Sequence, residues 1–145
     1  MTSVQFSADD LGVHPAIDRE IVALIEEGHL QGCSVLAAST GLDSGVLSHL
    51  GEIPDIGIGA HLCLTEGRPL TSGFAKIPWV LTSDGTFHRH WRKLLPQLLR
   101  HPVLSRSTRT LIVEEWRAQI EQLQRLVGRV DFVDSHQNVH LLPTF

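Results

Sequence analysis

The sequence predicts a single α/β domain built on a parallel sheet. Short apolar runs of strand length alternate with segments of helical periodicity, and strands separated by helices pair in parallel through right-handed crossovers. Three of the four predicted strand ends carry Asp or His, as parallel α/β proteins do at the edge where their chemistry collects. The chain has 145 residues, 42% hydrophobic and 19% charged, which suits one core and excludes a disordered chain. A closed (β/α)8 barrel is excluded at this length, since it needs roughly 200–250 residues.

The elements follow in order. Residues 4–8 read as a short strand ending in Asp9-Asp10. Leu11-Gly12 makes a loop, and Pro15 suits the first turn of a helix. Ile17, Ile21, Leu24 and Ile25 fall on one face of that helix, and Gly28 stands at its C-terminal cap. Residues 33–38 form the second strand, and a short helix runs through Leu47 and Leu50. Residues 56–62 form a glycine-rich third strand with His61 at its end. Gly57-Ile58-Gly59 lacks the third glycine and the helix of a dinucleotide fingerprint, so it reads as close packing within the strand. The excursion over residues 66–90 has no clear period, contains a tight turn at Ser83-Asp84-Gly85-Thr86, and is expected to cover the site. A helix limited by Pro96 is predicted over 91–99. The strongest helix spans 108–127, with Ile112, Trp116, Ile120, Leu123 and Val127 on one face and Gly128 at its end. Residues 130–133 form the fourth strand, which runs into Asp134-Ser135-His136.

The net charge of −4 argues against nucleic acid as a partner, because phosphate backbones demand clustered Lys and Arg. Arg89, Arg92, Lys93, Arg100, Arg106 and Arg109 make a locally basic stretch, which reads as a solvated helix face. No run of 18 apolar residues is present, so no membrane span is expected. The absence of a signal-peptide pattern, and two cysteines without CxxC spacing, point to a reduced, cytoplasmic chain.

The chemistry gathers at the strand ends. Asp9-Asp10, His61, and His136 with His140 are the candidate residues. In an extended segment Asp134, His136, Asn138 and His140 would share one face, and four polar side chains on one face suit a cavity wall better than a core. Two His and one carboxylate make an open site for a divalent ion, which acidifies water for a nearby carboxylate to deprotonate. That design is a hydrolase. No G-x-S-x-G elbow or P-loop is present.

Three segments carry a family resemblance. Ala8-Asp9-Asp10-Leu11-Gly12, the stretch from Gly57 through Ala60-His61-Leu62 to Thr65-Glu66-Gly67-Arg68-Pro69-Leu70, and Asp134-Ser135-His136-Gln137-Asn138-Val139-His140-Leu141-Leu142-Pro143 resemble, in order, the motifs of the YdjC-like carbohydrate deacetylases, with the branch of hopanoid-biosynthesis deacetylases close. The resemblance implies a metal-dependent enzyme that removes acetyl groups from N-acetylated sugars or glycolipids. Asp10, His61 and His136 would hold the ion, Asp9 would be the base, His140 an acid or substrate contact, and Arg68 and Asn138 substrate contacts. The family's ion is given as magnesium, whereas imidazole donors favour zinc or another transition metal. Leu11 replaces the usual Phe, and Asn138 stands where His is common, which removes any proton transfer there. The implied fold is (β/α)-barrel-like, of which this chain would supply about four strands, the first half. Open strand edges then predict a homo-oligomer. Two other readings compete: a metal-binding fragment without turnover, and another metal-dependent amidohydrolase or phosphoesterase. The lack of basic residues near the three motifs, apart from Arg68, counts against a phosphate substrate.

Overall fold

The computed structural model describes residues 4–94, 96, 100 and 105–141. It contains four parallel strands, β1 (Ser7–Leu11), β2 (Gly32–Val35), β3 (Gly57–Leu62) and β4 (Phe132–Ser135), in the order β1-β2-β3-β4. Helices α1 (Pro15–Glu26), α2 (Ser44–Glu52) and α3 (Arg106–Val127) form the connections, with 3-10 turns between β3 and α3 and after β4. The predicted α/β class and parallel pairing are what the structure has.

Local chemistry explains the helix ends. Pro15 opens α1, and His14 Nδ1 accepts from the Ala16 N–H at 3.1 Å. Asp43 caps α2 by accepting from the Gly45 and Val46 N–H groups. Ser105 caps α3, and Gly128 closes it in the left-handed conformation at φ 81°, which glycine adopts without steric cost. Within α1 the predicted face is only half used. Ile21 and Ile25 are buried, whereas Ile17 and Leu24 are exposed, because the contact with the sheet is narrower than the apolar stripe. Of the helix predicted over 91–99, Trp91–Lys93 form a 3-10 turn, and residues 95 and 97–99 lie outside the described residues.

Two apolar clusters hold the fold. The first joins Leu11, Val35, Ile58 and Ala60 of the sheet to Ile21, Ile25, Leu47, Leu50 and Leu123 of the helices. Alternation along β3 turns Ile58 and Ala60 towards the helices and Gly59 and His61 to the other side. A Cβ at Gly59 would lie 2.3 Å from the Phe132 ring, so a side chain there would have to displace that ring. The second cluster gathers the excursion around Phe74, Ile77, Val80 and Phe87, and packs it on Ile112 of α3 and on Val139. The expected turn is present, with an antiparallel bridge from Leu81 to Phe87 and Gly85 at φ 79°. Among the described residues no helix is long and apolar enough to cross a membrane.

Candidate metal centre

The strand ends converge as the sequence leads one to expect, with one local irregularity that matters. Ser7 and Ala8 pair with Gly32 and Cys33, but the next partner of Val35 is Leu11. Three steps on β1 therefore face two on β2, which is a bulge at Asp9-Asp10. Asp10 has φ 67°, an unusual conformation for a side-chain-bearing residue. A regular strand would send consecutive side chains to opposite faces. The bulge instead brings Asp9 and Asp10 to the same cavity, of about 460 Å³, which is also lined by His61, Asp134, Ser135, His136, Gln137, Asn138 and His140. Behind the bulge, the buried carboxylate of Asp18 accepts from the Gly12 N–H at 2.7 Å and fixes the loop.

Asp10 Oδ1 is the centre of the cluster. It lies 3.1 Å from His61 Nε2 and 2.6 Å from His136 Nδ1. The ligand atoms of Asp10, His61 and His136 all lie within 4.8 Å of one another, as do those of Asp9, His61 and Asp134. Two donors at right angles, each ~2.1 Å from an octahedral ion, are ~3 Å apart, so the spacing about Asp10 fits a small divalent cation. The donor set of two imidazoles and a carboxylate is also one that such ions take.

His61 is nearly buried and is held from behind. Its Nδ1 lies 2.6 Å from Asp134 Oδ1 and 3.1 Å from Ser34 Oγ. An ionised Asp134 carboxylate can only accept, so this contact calls for a proton on Nδ1, and that tautomer presents Nε2 to an ion. A carboxylate behind a histidine fixes tautomer and ring orientation in this way at metal sites. Ser34 is fully buried on β2 and donates to Asp9 Oδ1 at 3.2 Å, linking Asp9 to the His61 ring through one hydroxyl. Neither Ser34 nor the support by Asp134 was part of the sequence expectation. The signal for Ser34 is a lone hydroxyl in an otherwise apolar strand; for Asp134 it is its register opposite His61.

The predicted extended segment after β4 is a turn instead. His136–Leu141 is 3-10, with Gln137 and Asn138 both left-handed at φ 54° and 52°. Two anchors impose it: Val139 is buried in the second cluster, and Gln137 Oε1 accepts from the Trp91 N–H while its Nε2 donates to the Arg89 carbonyl. Asn138 and His140 still line the cavity, although not as alternate residues of a strand. The His140 ring hydrogen-bonds the Ser135 hydroxyl. Arg68 lies elsewhere. Its guanidinium donates to the Asp84 carbonyl at 2.9 Å, and it lines a separate cavity with Ser39 and Gln122. No residue of the 66–90 excursion lines the candidate centre, because its apolar side chains fold upon one another and on α3. Cys33 and Cys63 do not line the centre, and burial pushes their thiols up to about 12 and about 11.

A parallel α/β sheet thus carries, at its carboxyl edge, a carboxylate–imidazole cluster whose donors suit a metal ion. A family profile described as YdjC-like protein matches residues 3–145, and the chain belongs to that family. Among curated relatives, a carbohydrate deacetylase of Oceanobacillus iheyensis is 25% identical over 139 residues, covering 94% of this chain and 54% of the relative. A carbohydrate deacetylase of Mus musculus is 31% identical over 140 residues, covering 94% of this chain and 42% of that protein. The crystal structure of an Enterococcus faecalis protein named for cellobiose-phosphate cleavage superposes with TM-score 0.71 at 26% identity, over 94% of this chain and 49% of its own. The chain thus spans about half the length of the curated relatives it matches.

Proposed function

We propose that this chain carries the metal centre of a deacetylase that hydrolyses the acetamide of N-acetylated sugars, free or in glycolipids. The observation that carries the reading is the convergence of Asp10, His61 and His136, with Asp9 beside them, in a member of a family whose curated relatives are named carbohydrate deacetylases.

Asp10, His61 and His136 would hold one divalent ion, magnesium or zinc, which supplies Lewis acidity to polarise the acetyl carbonyl and acidify water. The chain's own residues do the rest. Asp9, with one oxygen engaged by the Ser34 hydroxyl, takes a proton from the attacking water. Asp134 keeps the proton of His61 on Nδ1. The water oxygen bonds to the acetyl carbon, the C–N bond breaks, and the leaving amine receives its proton from His140. Asn138 offers an amide to sugar hydroxyls. The products are acetate and an amino sugar. Arg68 as a substrate contact requires the substrate to extend to its cavity. We further propose a cytoplasmic setting, supported by two free, buried thiols, and self-association through the outer edges of β1 and β4.

The test is acetate release from an N-acetylated oligosaccharide with added magnesium or zinc. Release by the parent protein and its loss in Asp9→Asn and His61→Ala are expected; equal turnover in these variants refutes the assignment. Calorimetric ion binding with no acetate from any sugar tested would make the chain a metal-binding unit without turnover. Sedimentation as a monomer at high concentration would remove the self-association.

A further inference from the structure

Asp9, Ser34, His61 and Asp134 stand on four different strands, β1 to β4, and form one hydrogen-bonded line across the carboxyl edge of the sheet. The Ser34 hydroxyl donates to Asp9 Oδ1 at 3.2 Å and lies 3.1 Å from His61 Nδ1, which in turn lies 2.6 Å from Asp134 Oδ1. Strand register puts Ser34 in this line. It pairs with Gly59 of β3, so its side chain shares the sheet face of Gly59 and His61. Ser34 is fully buried, whereas Asp9 is exposed. Among the described residues, the Ser34 hydroxyl is the one hydrogen-bonding group on the Asp9 carboxylate. Asp9 also lies in the bulge, where β1 is out of step with β2, so the regular ladder gives its side chain no fixed direction.

We propose that Ser34 is the positioning residue of the base: its hydroxyl holds the Asp9 carboxylate in the one orientation that serves the reaction. The proposal rests on the reading of Asp9 as the base of a sugar deacetylase and adds to it the residue that aims that base. A hydroxyl has one proton to give, and the His61 ring decides where it goes. The proton that Asp134 calls for on Nδ1 meets the Ser34 oxygen, which accepts there. The hydroxyl hydrogen is then left for Asp9. His61 thus sets the direction of the hydroxyl, and the hydroxyl sets the direction of the carboxylate. One Asp9 oxygen is held, and the other is left for water.

The two ends of the line depend on Ser34 unequally. The His61 ring keeps Asp134, which is closer and charged, when the hydroxyl is removed. Asp9 keeps no hydrogen-bonding group at all. An untethered Asp9 has three staggered wells about χ1 and a broad torsion about its carboxylate axis, so the working orientation falls to about a third or less. Ion binding and base orientation are therefore served by different members of the same line, Asp134 for the first and Ser34 for the second. A residue that merely filled space under the centre would not separate them.

The experiment compares the parent chain with Ser34→Ala and Asp134→Ala. Three-bond NMR couplings across χ1 of Asp9, measured on the ion-free chain, report whether that side chain is fixed. Calorimetry with zinc reports ion affinity, and a melting curve confirms the fold. Ser34→Cys, which refills the space with a weak donor, replaces the alanine variant if that one is unstable, with the same expectations. Asp9 should hold a single χ1 in the parent and in Asp134→Ala, and its couplings should average in Ser34→Ala. Zinc affinity in Ser34→Ala should stay within about threefold of the parent, because Asp134 still supports the ring. With an N-acetylated oligosaccharide, kcat of Ser34→Ala should fall about three- to tenfold at unchanged KM. A fixed Asp9 in Ser34→Ala, or an averaged one in the parent, overturns the proposal. So does a loss of zinc affinity of about tenfold in Ser34→Ala, which would make the hydroxyl a support of His61, and so does acetate release at parental kcat. Averaging in Ser34→Ala with no acetate from the parent and any sugar overturns the deacetylase reading and keeps the tether.

Discussion

Removing Asp134 should weaken ion binding without removing any ion ligand. The carboxylate stands 2.6 Å from His61 Nδ1, and among the described residues the other hydrogen-bonding neighbour of that nitrogen is Ser34 Oγ at 3.1 Å. In Asp134→Ala the ring stays in place, because His61 is only 5% exposed and packing retains it. What is lost is the strong acceptor that keeps the proton on Nδ1 and holds the ring's orientation. Ser34, whose own proton goes to Asp9, can accept from Nδ1–H, but a neutral hydroxyl at 3.1 Å is a weaker acceptor than a carboxylate. Losing such a supporting group costs ~10–100-fold in metal affinity. The residual Ser34 contact places the expectation at the lower end, about tenfold, or about 1.4 kcal/mol. Asp134→Asn separates charge from hydrogen bonding, because its amide oxygen still accepts, and it should fall between the parent and Asp134→Ala. The measurement is calorimetric titration with zinc and with manganese at fixed ionic strength, with His61→Ala as the control that loses the site. Parent-like affinity in Asp134→Ala would refute the reasoning, as would a weaker Asn variant than Ala variant.

Other perturbations probe the frame around the centre. Gly59→Ala drives a methyl to within 2.3 Å of the Phe132 ring and should cost about 1–3 kcal/mol as overpacking; an unchanged urea midpoint would contradict the close contact. Glu115 is fully buried and accepts from the Leu70 and Thr71 N–H groups, the Thr71 hydroxyl and the Gln119 amide. Glu115→Ala strands those donors and should lose about 3 kcal/mol or more, read by denaturation; a loss below about 1 kcal/mol would mean that water replaces the carboxylate. Burial raises Cys33 to about 12 and Cys63 to about 11 from 9.0. The unfolded chain therefore loses these protons first as pH rises, so stability is intact below pH 9.0 and declines towards pH 11. Urea midpoints at about pH 8 and about pH 10 should differ in that sense, and an equal decline in a Cys33→Ala/Cys63→Ala variant would assign it to other groups.

Periodicity made the sheet and helices legible, and it placed Asp9, Asp10, His61 and His136 at one edge because parallel strands all end on the same side. It shifted the strand boundaries, however. β1 extends to Leu11 and contains the aspartates, since pairing resumes with Val35 beyond the bulge. A bulge is a mismatch between two strands and leaves no mark in either alone. The turn over His136–Leu141 was likewise invisible, because its causes are a Val139 buried in a distant cluster and a Gln137 tied to residues 91 and 89 across 46 and 48 positions. Arg68 shows the opposite limit. Its place within a recognisable motif suggested the site, but its partner, the Asp84 carbonyl, lies in a turn 16 residues on.

The extra residue in β1 bears on how such a centre can arise. A substitution at the end of a regular strand changes one side chain and leaves its neighbour facing the other way. An insertion of a single residue turns two adjacent side chains to the same side at once. Paired acids can therefore be gained, or erased, by a change in strand length with no change elsewhere in the sheet. Deleting Asp9 alone would let Leu11 follow Ala8 with one residue between them, restore an even ladder against β2, and leave a tidier sheet with one acid where there were two. For designers, the same step offers a compact way to graft a carboxylate pair onto a parallel scaffold.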